Sequence, residues 1–134
     1  MTVKRKSIDT RTVARAHPVP DGARVGNMFF SSNIVGLRIP GEDRRPADAD
    51  EEADWMFRNM KTLMEAAGGT MENIGLVNLY VSDSEGDSKE AVMESLNKAW
   101  LSAFPDEISR PARGLFERKQ NIHFASQVVA VLDS

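Results

Sequence analysis

The sequence predicts an α+β domain in which two helices cover one face of a mixed β-sheet, giving a sandwich of two layers. Two amphipathic helical stretches and several short runs of aliphatic and β-branched residues carry this prediction. Their order is strand, strand, helix, strand, helix, strand, strand. The other face of the sheet would remain apolar and uncovered, and such a face usually meets another subunit. We therefore expect a homo-oligomer.

The N-terminal third carries strand and turn signals. Residues 3–8 alternate weakly between apolar and basic side chains, which indicates an edge strand. Residues 17–22 are rich in turn formers. The dipeptide at 26–27 is Gly-Asn, a hairpin turn, and it precedes a buried strand over residues 28–32. Residues 39–48 hold two prolines, a glycine and five charges, and predict an exposed loop.

The first helix is predicted from about residue 49 to residue 67. Asp48 can cap it, and Glu51 follows three residues later, as a capping box requires. Gly68 and Gly69 end the helix, because glycine adopts the left-handed conformation without steric cost. One face carries apolar residues at helical spacing, and we interpret this stripe as core: Met56, Met60, Leu63, Met64 and Ala67.

The second half of the chain contains a strand, a helix and two further strands. Residues 74–81 are predicted as a central strand, and residues 88–104 as a helix that Pro105 ends. Asp87 and Glu90 form a second capping box. The core stripe of this helix comprises Met93, Leu96, Trp100 and Phe104, and the last two strands are predicted at 114–118 and 125–132.

Composition limits the possible functions. The 134 residues fit one domain over residues 1–134. With no cysteine and only two histidines, thiolate catalysis, disulfides and a histidine-rich metal centre are not expected. A net charge of −3 argues against binding nucleic acid by phosphate neutralisation. No apolar run is long enough to span a bilayer, and no signal-peptide pattern is present, so we expect a cytoplasmic protein with no membrane partner.

Arg113 is the most unusual candidate functional residue. It follows Pro111 and Ala112 at the start of an apolar strand. Guanidinium is always charged, and its fork matches a carboxylate with two parallel hydrogen bonds. The residues alone favour the simpler explanation, which is a salt bridge to Asp106, Glu107 or Glu117.

Other polar residues have ordinary explanations when they are taken one at a time. Asn97 lies within the second helix and either faces solvent or contacts a neighbouring loop. Gln127 is typical of a solvated strand residue, and His123 of an exposed turn. No G-x-S-x-G, P-loop or G-x-G-x-x-G motif occurs.

Five segments together resemble the RidA (YjgF) family of reactive intermediate deaminases. Residues 26–34 (GNMFFSSNI) are similar to that family's "GN-hydrophobic-SGQI" strand, and residues 63–69 (LMEAAGG) to the end of its "NLxxxLEAAG" helix. Residues 77–83 (VNLYVSD) resemble "VxVYLxD", and residues 96–104 (LNKAWLSAF) resemble "hN-x-x-Y-x-x-hF". Residues 111–113 match "PAR". The segments occur in the family's order and span roughly residues 20 to 132.

The resemblance implies a chorismate-mutase-like fold and a homotrimer with three intersubunit clefts. It also implies a hydrolase that converts reactive enamines or imines to ketones and ammonia without a cofactor or metal. Arg113 would hold the substrate carboxylate, helped by the backbone N–H of Leu115. Asn97, Ser32 and Asn33 are the further candidate substrate-binding residues.

The chain departs from the family pattern at two functional positions and in one motif. The family's last-strand glutamate corresponds to Ser126, Gln127 or Val128, depending on one gap. We assign Gln127 a catalytic role, since it can position a water although it cannot act as a general base. The family's N-terminal tyrosine is missing, and Ser32-Asn33 replaces glycine-glutamine. Another acid or base could act from elsewhere: Glu117, His123, Asp21 or His17.

Three hypotheses follow from the sequence. The first is a deaminase for a carboxylate-bearing enamine or imine, which includes a pathway-specific substrate of the aminomuconate type. The second is a diverged trimer that binds a small carboxylate without turnover. The third is a protein-interaction or ribonuclease-like role, which the acidic charge disfavours.

Overall fold

A computed structural model describes residues 3–10, 18–82 and 86–133. Residues 11–17, which include His17, lie outside the described residues, as do residues 83–85 in the loop before the second helix. The elements in chain order are β1 (Arg5–Ile8), β2 (Gly22–Val25), β3 (Met28–Ser31), α1 (Ala49–Ala66), a short 3₁₀ helix (Met71–Asn73), β4 (Ile74–Val81), α2 (Lys89–Ala103), β5 (Ala112–Glu117) and β6 (Phe124–Val131).

The six strands form one mixed sheet in the order β1-β2-β3-β6-β4-β5. β4 and β5 run parallel, and the remaining pairs are antiparallel. The helices pack on one face, where buried residues of both layers form a single core. The predicted two-layer arrangement is therefore confirmed. Among the described residues, no helix combines the length and apolarity needed to cross a membrane.

The sequence prediction omitted strand β2. Gly22–Val25 pairs with Met28–Ser31 across the predicted turn, where Gly26 has a φ of +62°. β2 was missed for two reasons. Turn-forming residues precede it, and a strand of four residues that includes an arginine is too short to show an apolar periodicity. Ile39 is another correction, because it is buried although it begins the predicted exposed loop.

The predicted ends of α1 are confirmed, but half of its capping box is wrong. Asp48 Oδ1 accepts a hydrogen bond from the Glu51 N–H at 2.9 Å. The Glu51 carboxylate binds the Ala47 N–H at 2.8 Å instead of closing the box on Asp48. Gly68, with a φ of +93°, ends the helix. The predicted methionine-rich stripe is buried in the core.

The cap of α2 differs from the prediction. Ser88, and not Asp87, is the N-cap, and its Oγ accepts from the Ala91 N–H at 3.1 Å. The Asp87 carboxylate is directed to His123 instead. At the other end of α2, Trp100 and Phe104 pack with Phe57 of α1, with ring centroids 4.7–6.2 Å apart.

The two faces of the sheet differ in what covers them. Val77 and Leu79 of β4 are buried under the helices, whereas the alternate residues Asn78 and Tyr80 face the side on which no described helix packs. We call this side the open face. It carries large exposed apolar side chains at 43–50% exposure, namely Phe30, Phe116 and Val131.

Candidate functional site

Arg113 lies on β5, the edge strand of the sheet, and its side chain is directed toward α2. Its Nη1 donates a hydrogen bond to Asn97 Oδ1 at 2.9 Å. The guanidinium carbon lies 5.2 Å from the ring centroid of Trp100. Asn97 and Trp100, both on α2, therefore orient the guanidinium of Arg113.

The register between α2 and β5 explains why Asn97 meets Arg113. Four residues of a helix rise about 6 Å, and two residues of a strand rise about 6.6 Å. Side chains spaced four residues apart on α2 and two residues apart on β5 therefore have nearly the same spacing, and they lie opposite each other along the seam between these elements. At one end of the seam, Lys89 of α2 pairs with Glu117 of β5. Asn97 lies eight residues further along α2, and it contacts Arg113, which lies four residues before Glu117 on β5. Asn97 is therefore an exposed helix residue with a defined partner.

The salt-bridge explanation for Arg113 is wrong. Among the described residues, no carboxylate lies within salt-bridge distance of Arg113: Glu117 pairs with Lys89, and Asp106 accepts from the Ile108 N–H. Partial burial without a counter-charge lowers the pKa of the Arg113 guanidinium. Asn97 is its one hydrogen-bond partner in the described chain, so most of its five N–H donors remain for a ligand. This arrangement suits an anion.

Leu115 lies two residues beyond Arg113 on the same edge strand, about 6.6 Å along the chain. Its side chain is 45% exposed. Between them, Gly114 allows close packing of β4, since a Cβ at this position would lie 2.5 Å from Asn78 Oδ1. An edge strand leaves part of its backbone without a strand partner, which suits the predicted role of the Leu115 N–H.

Ser32 and Asn33 lie far from Arg113 within one chain. They follow β3, and two strands separate β3 from β5, so the gap across the sheet is about 14 Å. Ser32 Oγ donates to the Pro20 carbonyl at 2.8 Å, and the Ser32 N–H donates to the Asp21 carbonyl, also at 2.8 Å. Asn33 is partly buried. Neither side chain reaches the guanidinium in the monomer.

Gln127 lies on the opposite side of the sheet from Arg113. It pairs with Asn78 on the open face, whereas Ser126 and Val128 on either side of it are buried beneath the helices. Of the three residues that could replace the family glutamate, only Gln127 is therefore on the open face. Arg113 and Gln127 cannot contact one small ligand within a single chain.

Tyr80 is a site feature that the sequence analysis missed. Its Oη donates to Gln127 Oε1 at 3.0 Å, which leaves the amide –NH₂ of Gln127 as the outward group. The Tyr80 ring stacks on Phe116 at 5.4 Å, and the Arg118 guanidinium lies 4.0 Å from its centroid. Strand alternation from Val77 and Leu79 could have placed Tyr80 on the open face, but not its bond to Gln127.

The alternative acids and bases are already engaged. His123 is not the exposed turn residue predicted, since its ring lies between Glu52 and Asp87 at 2.7 and 2.8 Å. Asp21 is 1% exposed and binds the backbone and hydroxyl of Thr10. Glu117 is in an ion pair with Lys89. His17, the fourth candidate, lies outside the described residues.

Two concavities lie near this seam, but neither includes Arg113. One of about 430 Å³ lies between the start of α2 and the end of β5, and includes Lys89 and Glu117. The other, of about 590 Å³, lies between the middle of α1 and the C-terminal end of α2, beside Phe57 and Arg110. Arg113 is partly buried on the edge strand and lines neither of these two cavities. Across residues 3–10, 18–82 and 86–133, no group of three or more His, Asp or Glu side chains could hold a metal ion.

Comparison with known proteins identifies similar sequences and folds. No family model matches the chain. A 2-iminobutanoate/2-iminopropanoate deaminase of Dermatophagoides farinae is 23% identical over 116 residues, which cover 87% of each chain. The crystal structure of RidA from an Antarctic Psychrobacter species superposes with a TM-score of 0.75 at 19% identity, covering 95% of this chain and 99% of that one.

A second solved structure, E. coli TdcF with bound serine, superposes with a TM-score of 0.79 at 20% identity over 96% of this chain and 99% of that one. At these identities the solved structures establish the fold, and the sequence relative adds a likeness along most of the chain. The resemblance predicted from the five motifs is thereby confirmed as a similarity: the chain is similar in sequence to an imine deaminase and has the fold of RidA.

Proposed function

We propose that this protein binds a small carboxylate-bearing imine or enamine at Arg113 and hydrolyses it to a carbonyl product and ammonia. One observation carries the proposal: Arg113 is a partly buried cation that Asn97 orients and that no carboxylate neutralises within the described chain. The similarity to an imine deaminase and to a protein that binds serine, which has a carboxylate, supports the same ligand chemistry.

The chemistry needs little from the protein beyond binding and orientation. Two parallel hydrogen bonds from Arg113 hold the carboxylate, and Asn97 keeps the guanidinium in place. An enamine gains a proton at carbon to become an iminium ion. Water then adds to the iminium carbon and loses a proton, and the resulting carbinolamine releases ammonia to leave the ketone. Gln127 can orient the water but cannot take its proton.

We further propose that the working site forms between subunits of a homotrimer. Arg113 and Gln127 lie on opposite faces of the sheet, so only a neighbouring chain can bring the second near the first. The exposed Phe30, Phe116 and Val131 give the open face an apolar surface that a second copy would bury. The position of Arg113 on the edge strand β5, where it is partly buried, supports this arrangement, since a partner packed beside β5 would enclose it in a cleft.

Ammonia release from enzymatically generated 2-aminoacrylate tests the proposal. Wild-type protein should accelerate release, and Arg113→Ala should lose about tenfold to a hundredfold in kcat/KM, because a charged hydrogen bond contributes about 1.5–3 kcal/mol. Arg110→Ala is the matched control, since Arg110 binds only the Phe104 carbonyl in the described chain. No acceleration by wild type, or equal losses in both variants, would contradict the proposal for this substrate class. An aminomuconate-type imine is then the next substrate to assay.

Binding without turnover is the second candidate function. The observation that favours it is that His123, Asp21 and Glu117 are all engaged in other contacts. Calorimetric titration with 2-ketobutyrate separates the two functions. Binding that requires Arg113, in a protein that releases no ammonia from any imine assayed, would support a carboxylate binder.

A further inference from the structure

His123 is the centre of a partly buried charged cluster that the proposed reaction does not use. One of its ring nitrogens, Nδ1, lies 2.7 Å from Glu52 Oε1, and the other, Nε2, lies 2.8 Å from Asp87 Oδ2. The His123 side chain is 15% exposed, and the Glu52 side chain is 6% exposed. The Asp87 side chain is 43% exposed and forms the outer member of the cluster.

The geometry requires a doubly protonated ring. An ionised carboxylate can only accept hydrogen bonds, so each ring nitrogen must carry a proton to bind the carboxylate beside it. A neutral imidazole has one N–H and one lone pair, and its lone pair would face a carboxylate oxygen. With both carboxylates ionised, the two short contacts can exist together only when His123 is an imidazolium ion.

The cluster joins three elements of the fold. Glu52 belongs to the first turn of α1, and its Oε2 also accepts the N–H groups of His123 and Phe124 at 3.0 and 3.1 Å. Phe124 begins β6. Asp87 immediately precedes Ser88, the N-cap of α2. Protonated His123 thus connects the start of β6 to the starts of both helices.

We propose that Glu52, His123 and Asp87 form a proton-dependent latch that holds the start of α2 against the rest of the fold. The charged groups that contact the ring, among the described residues, are Glu52 from α1 and Asp87 before α2. Ser82 at the end of β4 and Gln120 in the β5–β6 turn bind the His123 carbonyl and carry no charge. The latch does not depend on the proposed function.

The two carboxylates respond differently when the proton leaves. Glu52 keeps its two backbone N–H donors and its buried position, so it stays in place and retains the remaining ring N–H. Asp87 is more exposed, and it loses the His123 N–H as a donor, so its contact with the ring weakens. Deprotonation therefore weakens the link between His123 and the start of α2, while His123 remains attached to α1.

The sign of the pH dependence follows from linkage. Burial lowers the pKa of His123, but the hydrogen bonds and charges of Glu52 and Asp87 outweigh it, so the net pKa is raised above 6.5. The stabilisation is then fully present below pH 6.5 and is lost as the pH rises through the raised native pKa. For each unit of that elevation, the folding equilibrium constant falls tenfold across the titration.

Proton NMR tests the latch directly. The chain has two histidines, so His17→Gln leaves His123 as the single imidazole to titrate. We expect a His123 pKa above 6.5, and we expect Asp87→Asn, a change on an exposed side chain, to lower it. A native pKa at or below 6.5, or one that Asp87→Asn does not change, would overturn the latch.

Two further measurements test its mechanical consequence. The protection of the first-turn amides of α2 against hydrogen exchange, corrected for the intrinsic pH dependence of exchange, should fall above the His123 pKa in wild type and be low at all pH values in Asp87→Asn. Urea denaturation should show a loss of stability, as the pH rises from 6.5 through the native pKa of His123, that is smaller in His123→Gln than in the His17→Gln control. Two results would contradict the proposal. One is that the stabilities of the two glutamine variants depend equally on pH, and the other is that the protection of the α2 amides does not change as His123 titrates.

Discussion

Replacing Arg113 by alanine should cost the ligand-free protein little stability. The side chain loses one hydrogen bond to Asn97 and its contact with Trp100. Because the bond to Asn97 is exposed to solvent, it contributes about 0.5–1.5 kcal/mol, less than a buried charged hydrogen bond, and the Trp100 contact contributes about 0.5–1 kcal/mol. Removing an unneutralised, partly buried cation offsets some of this loss. We expect the free energy of unfolding to fall by about 1–2 kcal/mol.

That magnitude separates a ligand anchor from a structural ion pair. Removing one partner of a buried ion pair costs about 3–5 kcal/mol, because the other charge is left unpaired. The assay is urea denaturation followed by tryptophan fluorescence at matched protein concentration, with Arg110→Ala as the control for losing one arginine hydrogen bond. A loss of 3 kcal/mol or more, specific to Arg113, would refute the reasoning.

The fold and its open face support three further predictions. Met60→Ala, at a fully buried position of α1, should reduce the free energy of unfolding by about 2–5 kcal/mol in the same denaturation assay. Gly36→Ala should cost about 3 kcal/mol, because its Cβ would lie 1.9 Å from the Glu52 carbonyl oxygen, and a normal stability would contradict this close approach. Phe30→Asp on the open face should reduce the mass measured by light scattering, whereas Leu101→Asp, at a somewhat more exposed position on α2, should leave the mass unchanged.

Periodicity predicted the helices and the longer strands because their apolar residues must face one core. The stripe of Met56, Met60, Leu63 and Met64 is buried as expected, and Gly68 ends α1 in the left-handed conformation. β2 was missed because four residues do not establish a period. The cap of α2 was misplaced because Asp87 and Ser88 are both good N-caps, and the choice depends on the distant His123.

The candidate site was predictable only in part. Family motifs pointed to Arg113 and Asn97, and the helix-to-strand register explains why they meet. The same motifs could not reveal that Gln127 lies on the other face of the sheet, since that depends on strand pairing and not on order along the chain. Pairings between side chains remote in sequence, such as Tyr80 with Gln127, leave no local pattern.

A crystal structure with 2-ketobutyrate tests most directly whether Arg113 is a carboxylate anchor. We predict that both carboxylate oxygens lie about 2.7–2.9 Å from guanidinium nitrogens of Arg113, with Asn97 still bound to the same side chain. We also predict that the open face of a neighbouring subunit closes over the ligand. A ligand bound elsewhere at saturating concentration, or an Arg113 that contacts only Asn97, would contradict the account.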